Sequence, residues 1–121
     1  MSYSLRIAVA DDEPRTREFY QEILPRLGHE VVCAASSGRE LIALCQTCHP
    51  QLVITDIRMP DLNGIDAAIK IRSLLPSCKI LLFSGQAATA DLLDRARTQG
   101  HEFEILAKPV HPTDLLAKLR G

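Results

Sequence analysis

Residues 51–60 read Gln51-Leu52-Val53-Ile54-Thr55-Asp56-Ile57-Arg58-Met59-Pro60. The stretch from Leu52 to Ile54 is apolar, Val53, Ile54 and Thr55 are β-branched, and the run is too short for a helix. It lacks the polar alternation of a strand with one wet face. Such a run fits a strand covered on both sides, the usual situation in a parallel sheet. The run closes on a single acid, Asp56, and a turn proline follows.

The same grammar recurs on either side. Apolar runs fall at residues 5–10, 30–35, 51–55, 79–83 and 103–107. Between and after them lie amphipathic patterns at residues 14–27, 38–48, 64–75, 89–99 and 112–119. Punctuation agrees. Pro14 suits a first helical turn, Gly28 and Gly100 suit helix ends, and Pro76 stops a helix. Strands alternating with helices build right-handed βαβ units. The expected fold is therefore an α/β, doubly wound (βα)5 sandwich around a five-stranded parallel sheet. With 121 residues and no linker, repeat or low-complexity tract, the chain reads as one domain over residues 1–121.

A net charge of −1 with no Lys/Arg run argues against direct binding of nucleic acid. No apolar run approaches the ~20 residues that span a bilayer. Residues 1–10 carry a short apolar stretch broken by Arg6, without the pattern of a secretory signal. The expected compartment is the cytoplasm, where the four cysteines stay reduced.

In open α/β sheets ligands bind beyond the carboxyl ends of the strands. Those ends carry Asp11-Asp12, Asp56, Ser84 and Lys108-Pro109. Carboxylates gathered at one edge repel each other, and a hard divalent cation relieves that repulsion. Mg²⁺ takes oxygen ligands and binds through one or two carboxylates plus phosphate oxygens. Lys108 adds a positive charge and Ser84 a hydroxyl, which suits phosphoryl transfer by positioning and charge neutralisation. A carboxylate can itself be the nucleophile. Asp11 and Asp12 are adjacent and suited to a metal, whereas Asp56 stands alone between hydrophobic neighbours, the better nucleophile.

These residues resemble the receiver domain of two-component response regulators. The resemblance is carried by Val9-Ala10-Asp11-Asp12-Glu13-Pro14, by residues 53–60 with Gly64 beyond, by Phe83-Ser84-Gly85 and by Ala107-Lys108-Pro109, in the right order and spacing. It implies a flavodoxin-like strand order 2-1-3-4-5 and a phosphoryl group accepted on Asp56, from a histidine kinase or a small phosphodonor. It implies Mg²⁺ held by Asp12, Asp56 and the Arg58 backbone carbonyl, with Asp11 acting through a metal-bound water. Ser84 and Lys108 would each contact a phosphoryl oxygen, Gly85 would keep the phosphate accessible, and the Lys108–Pro109 peptide would be cis. Arg58 and Gln86, each two positions beyond an active residue, would tune the lifetime of the phosphate. Such a chain is not an enzyme in the ordinary sense, since it catalyses only its own phosphorylation and dephosphorylation.

By the same resemblance its partners are a sensor histidine kinase or phosphotransfer protein and a downstream effector, reached through helix four, strand five and helix five. A phosphorylation-dependent homodimer is allowed as well. Two departures concern the readout. Ile105 stands where receivers commonly carry a switch aromatic, with Phe103 two residues earlier, and the segment from Gly100 to Lys108 is one residue longer than the usual pattern.

Several local patterns admit plainer readings. Cys45-Gln46-Thr47-Cys48-His49 matches a c-type haem signature and half a zinc site. Haem attachment needs export, and structural zinc needs a second pair, whereas Cys33 and Cys78 are far apart in sequence. Leu41, Ile42, Cys45 and Cys48 share one helical stripe, so these thiols read as small core hydrophobes. His29, His49, His101 and His111 are expected at the surface. Asp91, Asp94, Arg95 and Arg97 read as a solvated helix face. An aspartyl-phosphate phosphatase is disfavoured because Arg58 stands where such enzymes carry a second aspartate, and no cap domain fits in 121 residues. The first turn lacks the glycine-rich loop of a nucleotide-binding domain. A receiver within a hybrid kinase or a DNA-binding regulator remains an alternative to a stand-alone regulator.

Overall fold

The computed structural model describes residues 4–84, 90–107 and 112–120. Ten elements alternate along the chain: β1 (Arg6–Ala10), α1 (Pro14–Arg26), β2 (Glu30–Ala35), α2 (Gly38–Cys48), β3 (Leu52–Asp56), α3 (Gly64–Leu74), β4 (Lys79–Ser84), α4 (Ala90–Thr98), β5 (Glu104–Ala107) and α5 (Pro112–Arg120). The strands form one parallel sheet in the order β2-β1-β3-β4-β5. Element positions and strand order agree with the sequence reading. The main adjustment is that Phe103 precedes β5 rather than opening it.

Successive strand residues point to opposite faces, which divides the core in two. Ala8, Ala10, Val53, Ile80 and Leu82 join Leu41, Cys45, Ala67, Ala68, Ile71 and Ala96 on the face covered by α2, α3 and α4. Ile7, Val9, Ile54, Leu81 and Phe83 join Tyr20, Leu24, Leu115 and Leu119 on the face covered by α1 and α5. The three central strands are almost wholly buried, which is why they read as continuous apolar runs.

Helix ends follow local chemistry. Ser37 and Asn63 accept hydrogen bonds from the Glu40 and Asp66 amides, capping α2 and α3. Gly28, at φ 92°, turns the chain out of α1 while its amide donates to the Pro25 carbonyl. The strand pairing contains one irregularity. Ile7 of β1 faces Val31, but Ala8 faces Cys33, so Val32 of β2 is an extra residue.

His29 departs from the surface position expected of it. It is buried, and its Nδ1 accepts the Leu5 amide at 3.0 Å. Burial pushes its pKa below the ordinary imidazole value. His49 is exposed and His101 half-buried, while His111 lies outside the described residues. Asp91, Asp94, Arg95 and Arg97 are exposed, as expected.

Candidate functional site

The candidate site lies at the carboxyl edge of the sheet. Asp56 is the last residue of β3 and pairs in register with Phe83, so Ser84 follows directly beside it. Ser84 in turn pairs with Ala107 of β5. Asp11 and Asp12 leave β1 on the other side of β3. Asp11, Asp12 and Asp56 each offer a carboxylate oxygen, and these atoms lie within 4.8 Å of one another. Among the described residues this is the group that could hold a metal ion. Asp11 is 1% exposed, Asp56 half-buried and Asp12 exposed, so the cluster runs from the interior to the surface. An all-oxygen donor set of this size and charge fits a hard dication such as Mg²⁺.

The surrounding backbone is fixed on every side. The Asp11 amide donates to the Ala35 carbonyl at 3.0 Å, and one Asp11 carboxylate oxygen accepts the Glu13 amide at 2.9 Å. The Arg17 guanidinium donates to the Asp11 carbonyl at 2.7 Å. Beyond Asp56, the Ile57 amide donates to the Phe83 carbonyl, and the Gly64 amide donates to the Ile57 carbonyl at 2.7 Å. The loop carrying Arg58, Met59 and Pro60 therefore starts and ends at fixed points. The buried Thr55 hydroxyl donates to the Asp56 carbonyl at 3.0 Å.

Beneath the carboxylates lies Tyr20, 2% exposed and edge-on to Phe83 with centroids 5.3 Å apart. Burial, then the negative charges of Asp11 and Asp56, push its phenol pKa well above the ordinary value. Tyr20 and Arg17 were missed by sequence reasoning. Their signal was the inward stripe of α1, since Tyr20 and Leu24 are four apart, but nothing in that stripe points to acids on another strand.

Arg58 is exposed and, with Asp12, Met59, Asn63 and Leu92, lines a depression of about 370 Å³ beside the carboxylates. Gly85, Gln86, Lys108 and Pro109 lie outside the described residues. Ile105 is half-buried on β5. Phe103 is held elsewhere: its ring is covered by the Arg72 guanidinium at 4.2 Å and stacked on His101. Arg72 also donates to the Glu102 carbonyl at 3.0 Å.

The cysteines correct the sequence reading in one respect. Cys33, distant in sequence, packs against the core cluster that contains Cys45 of α2, and the Cys48 thiol donates to the carbonyl of the neighbouring Val32 at 3.5 Å. The four thiols are free, Cys45 and Cys78 buried, Cys33 and Cys48 half-buried.

Comparison with known proteins agrees with this geometry. The family model described as response regulator receiver domain matches residues 7–120. This chain belongs to the receiver domain family. It is 30% identical to the chemotaxis protein CheY of Thermotoga maritima over 94% of this chain and 93% of that one. It is 37% identical to the transcriptional regulatory protein PdtaR of Mycobacterium tuberculosis over 92% of this chain, but it spans only 53% of that protein. A receiver domain protein from Clostridium thermocellum superposes with a TM-score of 0.83 at 31% identity, covering 95% of this chain and 90% of its own. A CheY-like receiver from Methanospirillum hungatei gives 0.85 at 27% identity, covering 98% and 92%. The chain is thus a signal receiver of the two-component kind. Among the described residues, no helix is long and apolar enough to cross a membrane.

Proposed function

We propose that Asp56 is the phosphoacceptor of this receiver and that Asp11, Asp12, Asp56 and the Arg58 carbonyl hold Mg²⁺ for the transfer. The observation that carries the reading is the gathering of three carboxylate oxygens within 4.8 Å at a strand edge that also bears Ser84. In the transfer, an Asp56 oxygen forms a bond to phosphorus as the bond between phosphorus and the donor breaks. The donor, a phosphohistidine of a kinase or phosphotransfer protein or a small acyl phosphate, leaves with the bonding electrons. Bound Mg²⁺ would neutralise the carboxylates and the incoming phosphoryl oxygens. Ser84 would donate to one phosphoryl oxygen and Lys108 would pair with another, beside the small residue Gly85. The Lys108–Pro109 peptide would be cis. Arg17, by fixing the Asp11 carbonyl, keeps the acidic turn from relaxing away from Asp56.

The output face would be α4, β5 and α5, meeting an effector or a second copy of the chain in the cytoplasm. Ile105 has neither ring nor hydroxyl, and Phe103 is clamped by Arg72 and His101. Neither can swing as a switch aromatic does, so the rearrangement on phosphorylation would be small. The only activity in this reading is the chain's own phosphorylation and dephosphorylation.

The test is incubation with acetyl phosphate and Mg²⁺, read by intact mass. One added phosphoryl group is expected, lost in Asp56→Asn and on chelation of the metal. Phosphorylation that persists in Asp56→Asn, mapped to a residue other than a neighbouring hydroxyl, overturns the assignment.

A further inference from the structure

The cysteine cluster is far from the needs of phosphoryl transfer, yet its geometry is unusual. In a regular β2, Val31 and Cys33 would face the same side of the sheet. The extra residue at Val32 breaks that alternation: Val31 packs with the α1 side and Cys33 with the α2 side. Bulges re-aim side chains in this way. The bulge thus delivers Cys33 to the α2 side, where Cys45 is buried and Cys48, one helical turn on, is half-buried. The Cys48 thiol donates to the carbonyl of the bulged Val32, the residue before Cys33, at 3.5 Å.

The three thiols differ. Cys45 is 1% exposed and sits in mid-helix, locked in the core. Cys48 is the last residue of α2, half-buried, and followed by His49 in a left-handed conformation. The Arg6 guanidinium crosses this helix end, donating to the Cys48 carbonyl at 2.6 Å and the His49 carbonyl at 3.0 Å. Cys33 is half-buried on an edge strand. Its pKa is lowered to about 7, first by the hydrogen bond from Cys45, then, against the opposing effect of burial, by Cys48 and the Arg6 charge. Burial is the chief cause holding Cys48 protonated above the ordinary value, and Cys45 is raised first by Cys33 and then by burial. A half-buried thiolate beside a cationic group and a second, protonated thiol is the arrangement that peroxides oxidise.

We propose that Cys33 and Cys48 are a peroxide-oxidisable thiol pair, with Cys33 the attacking sulfur and Cys48 the resolving one. The Cys33 thiolate attacks one oxygen of hydrogen peroxide. The O–O bond breaks, hydroxide leaves and is protonated to water, and Cys33 becomes a sulfenic acid. The Cys48 sulfur then attacks the Cys33 sulfur. The S–O bond breaks, the departing hydroxide takes the Cys48 proton, and a disulfide and a second water result. Two thiols lose two electrons and one peroxide gains them. A cellular dithiol reverses the bond by exchange. The helix end carrying Cys48 can adjust more readily than the mid-helix position of Cys45, which is why the bond forms to Cys48.

The full chain, reduced and then exposed to stoichiometric hydrogen peroxide, should lose two hydrogens by intact mass. Peptide mapping should place the link between Cys33 and Cys48. Cys48→Ser should stop at a sulfenic acid on Cys33, trapped by dimedone. Cys45→Ala should slow alkylation of Cys33 by iodoacetamide at pH 7 by at least ~5-fold, through loss of thiolate. Asp56→Asn should oxidise at the wild-type rate, which separates this chemistry from the phosphoacceptor reading. Circular dichroism confirms that each variant is folded, and dimedone labelling of the unmodified chain needs no variant at all. First labelling at a cysteine other than Cys33, a disulfide that omits Cys33 or Cys48, or no oxidation short of unfolding each overturns the proposal.

Discussion

The Cα of Gly64 lies against the carbonyl of Asp56 so closely that a β-carbon at that position would overlap the carbonyl oxygen. The Gly64 amide meanwhile donates to the next carbonyl, that of Ile57, at 2.7 Å. Together these contacts fix the first turn of α3 to the backbone of the candidate phosphoacceptor. Alanine at a helix start would ordinarily gain a little from propensity. Here it must push apart two backbones that a buried hydrogen bond holds together. Gly64→Ala should therefore cost about 3 kcal/mol in urea unfolding. The exposed Ser73→Ala on the same helix should stay within about 0.5 kcal/mol. Equal midpoints for the two variants would show that the loop yields.

Asp12 and Asp11 should not contribute equally to metal binding. Asp11 spends one carboxylate oxygen on the Glu13 amide and is buried, whereas Asp12 is exposed at the mouth of the cluster. Asp12→Ala should weaken Mg²⁺ binding at least ~10-fold, and Asp11→Ala less. The chain contains no Trp, so NMR titration or calorimetry is the suitable readout. Undiminished affinity in Asp12→Ala would remove it from the metal's direct ligands.

The strands were legible because β1, β3 and β4 are buried on both faces and so carry unbroken apolar runs. Asp11, Asp12, Asp56 and Ser84 were legible because strand ends define the ligand edge of a parallel sheet. Arg17 and Tyr20 were not, since their relation to the acids depends on how α1 lies across the sheet. Nor was Cys33, because one extra residue at Val32 reverses which face it shares, and sequence shows no bulge. His29 follows a helix-ending glycine, where a surface loop is the ordinary expectation. Its burial comes from a tertiary contact, the Leu5 amide twenty-four residues away.

That contact makes stability depend on pH. Nδ1 of His29 accepts the Leu5 amide, so protonating that nitrogen would set a donor against a donor. The folded-state pKa is lowered by burial, so the unfolded chain binds the proton first. The stabilisation is fully present above the unfolded value of about 6.5 and is lost as pH falls through and below it. Unfolding free energy should decline between pH 7 and 5, with a contribution from His29 of at most about 1.4 kcal/mol per pH unit. His29→Gln should be less stable at pH 7 but lose this part of the slope. An unchanged slope would assign the pH dependence to other groups.

The lifetime of the aspartyl phosphate should depend on Arg58. Hydrolysis needs a water in line with the departing Asp56 oxygen. Arg58, two residues on and exposed, shares with Asp12 the depression through which water would reach the site. Its guanidinium is permanently charged, carries donors and has no acceptor to orient or deprotonate a water. Lying across the phosphoryl oxygens, it would block the approach and stabilise the phosphorylated state. Gln86, which could orient a water through its amide oxygen, would act in the opposite sense. Blocking should dominate, because it removes the attacking geometry, and misplacing a reactant alone costs ~10²-fold. Arg58→Asn, with Gln86 unchanged, should release phosphate faster, by several-fold or more, measured after removal of the phosphodonor. Release at an equal or slower rate would place the Arg58 side chain in solvent and leave the lifetime to Gln86 and the metal.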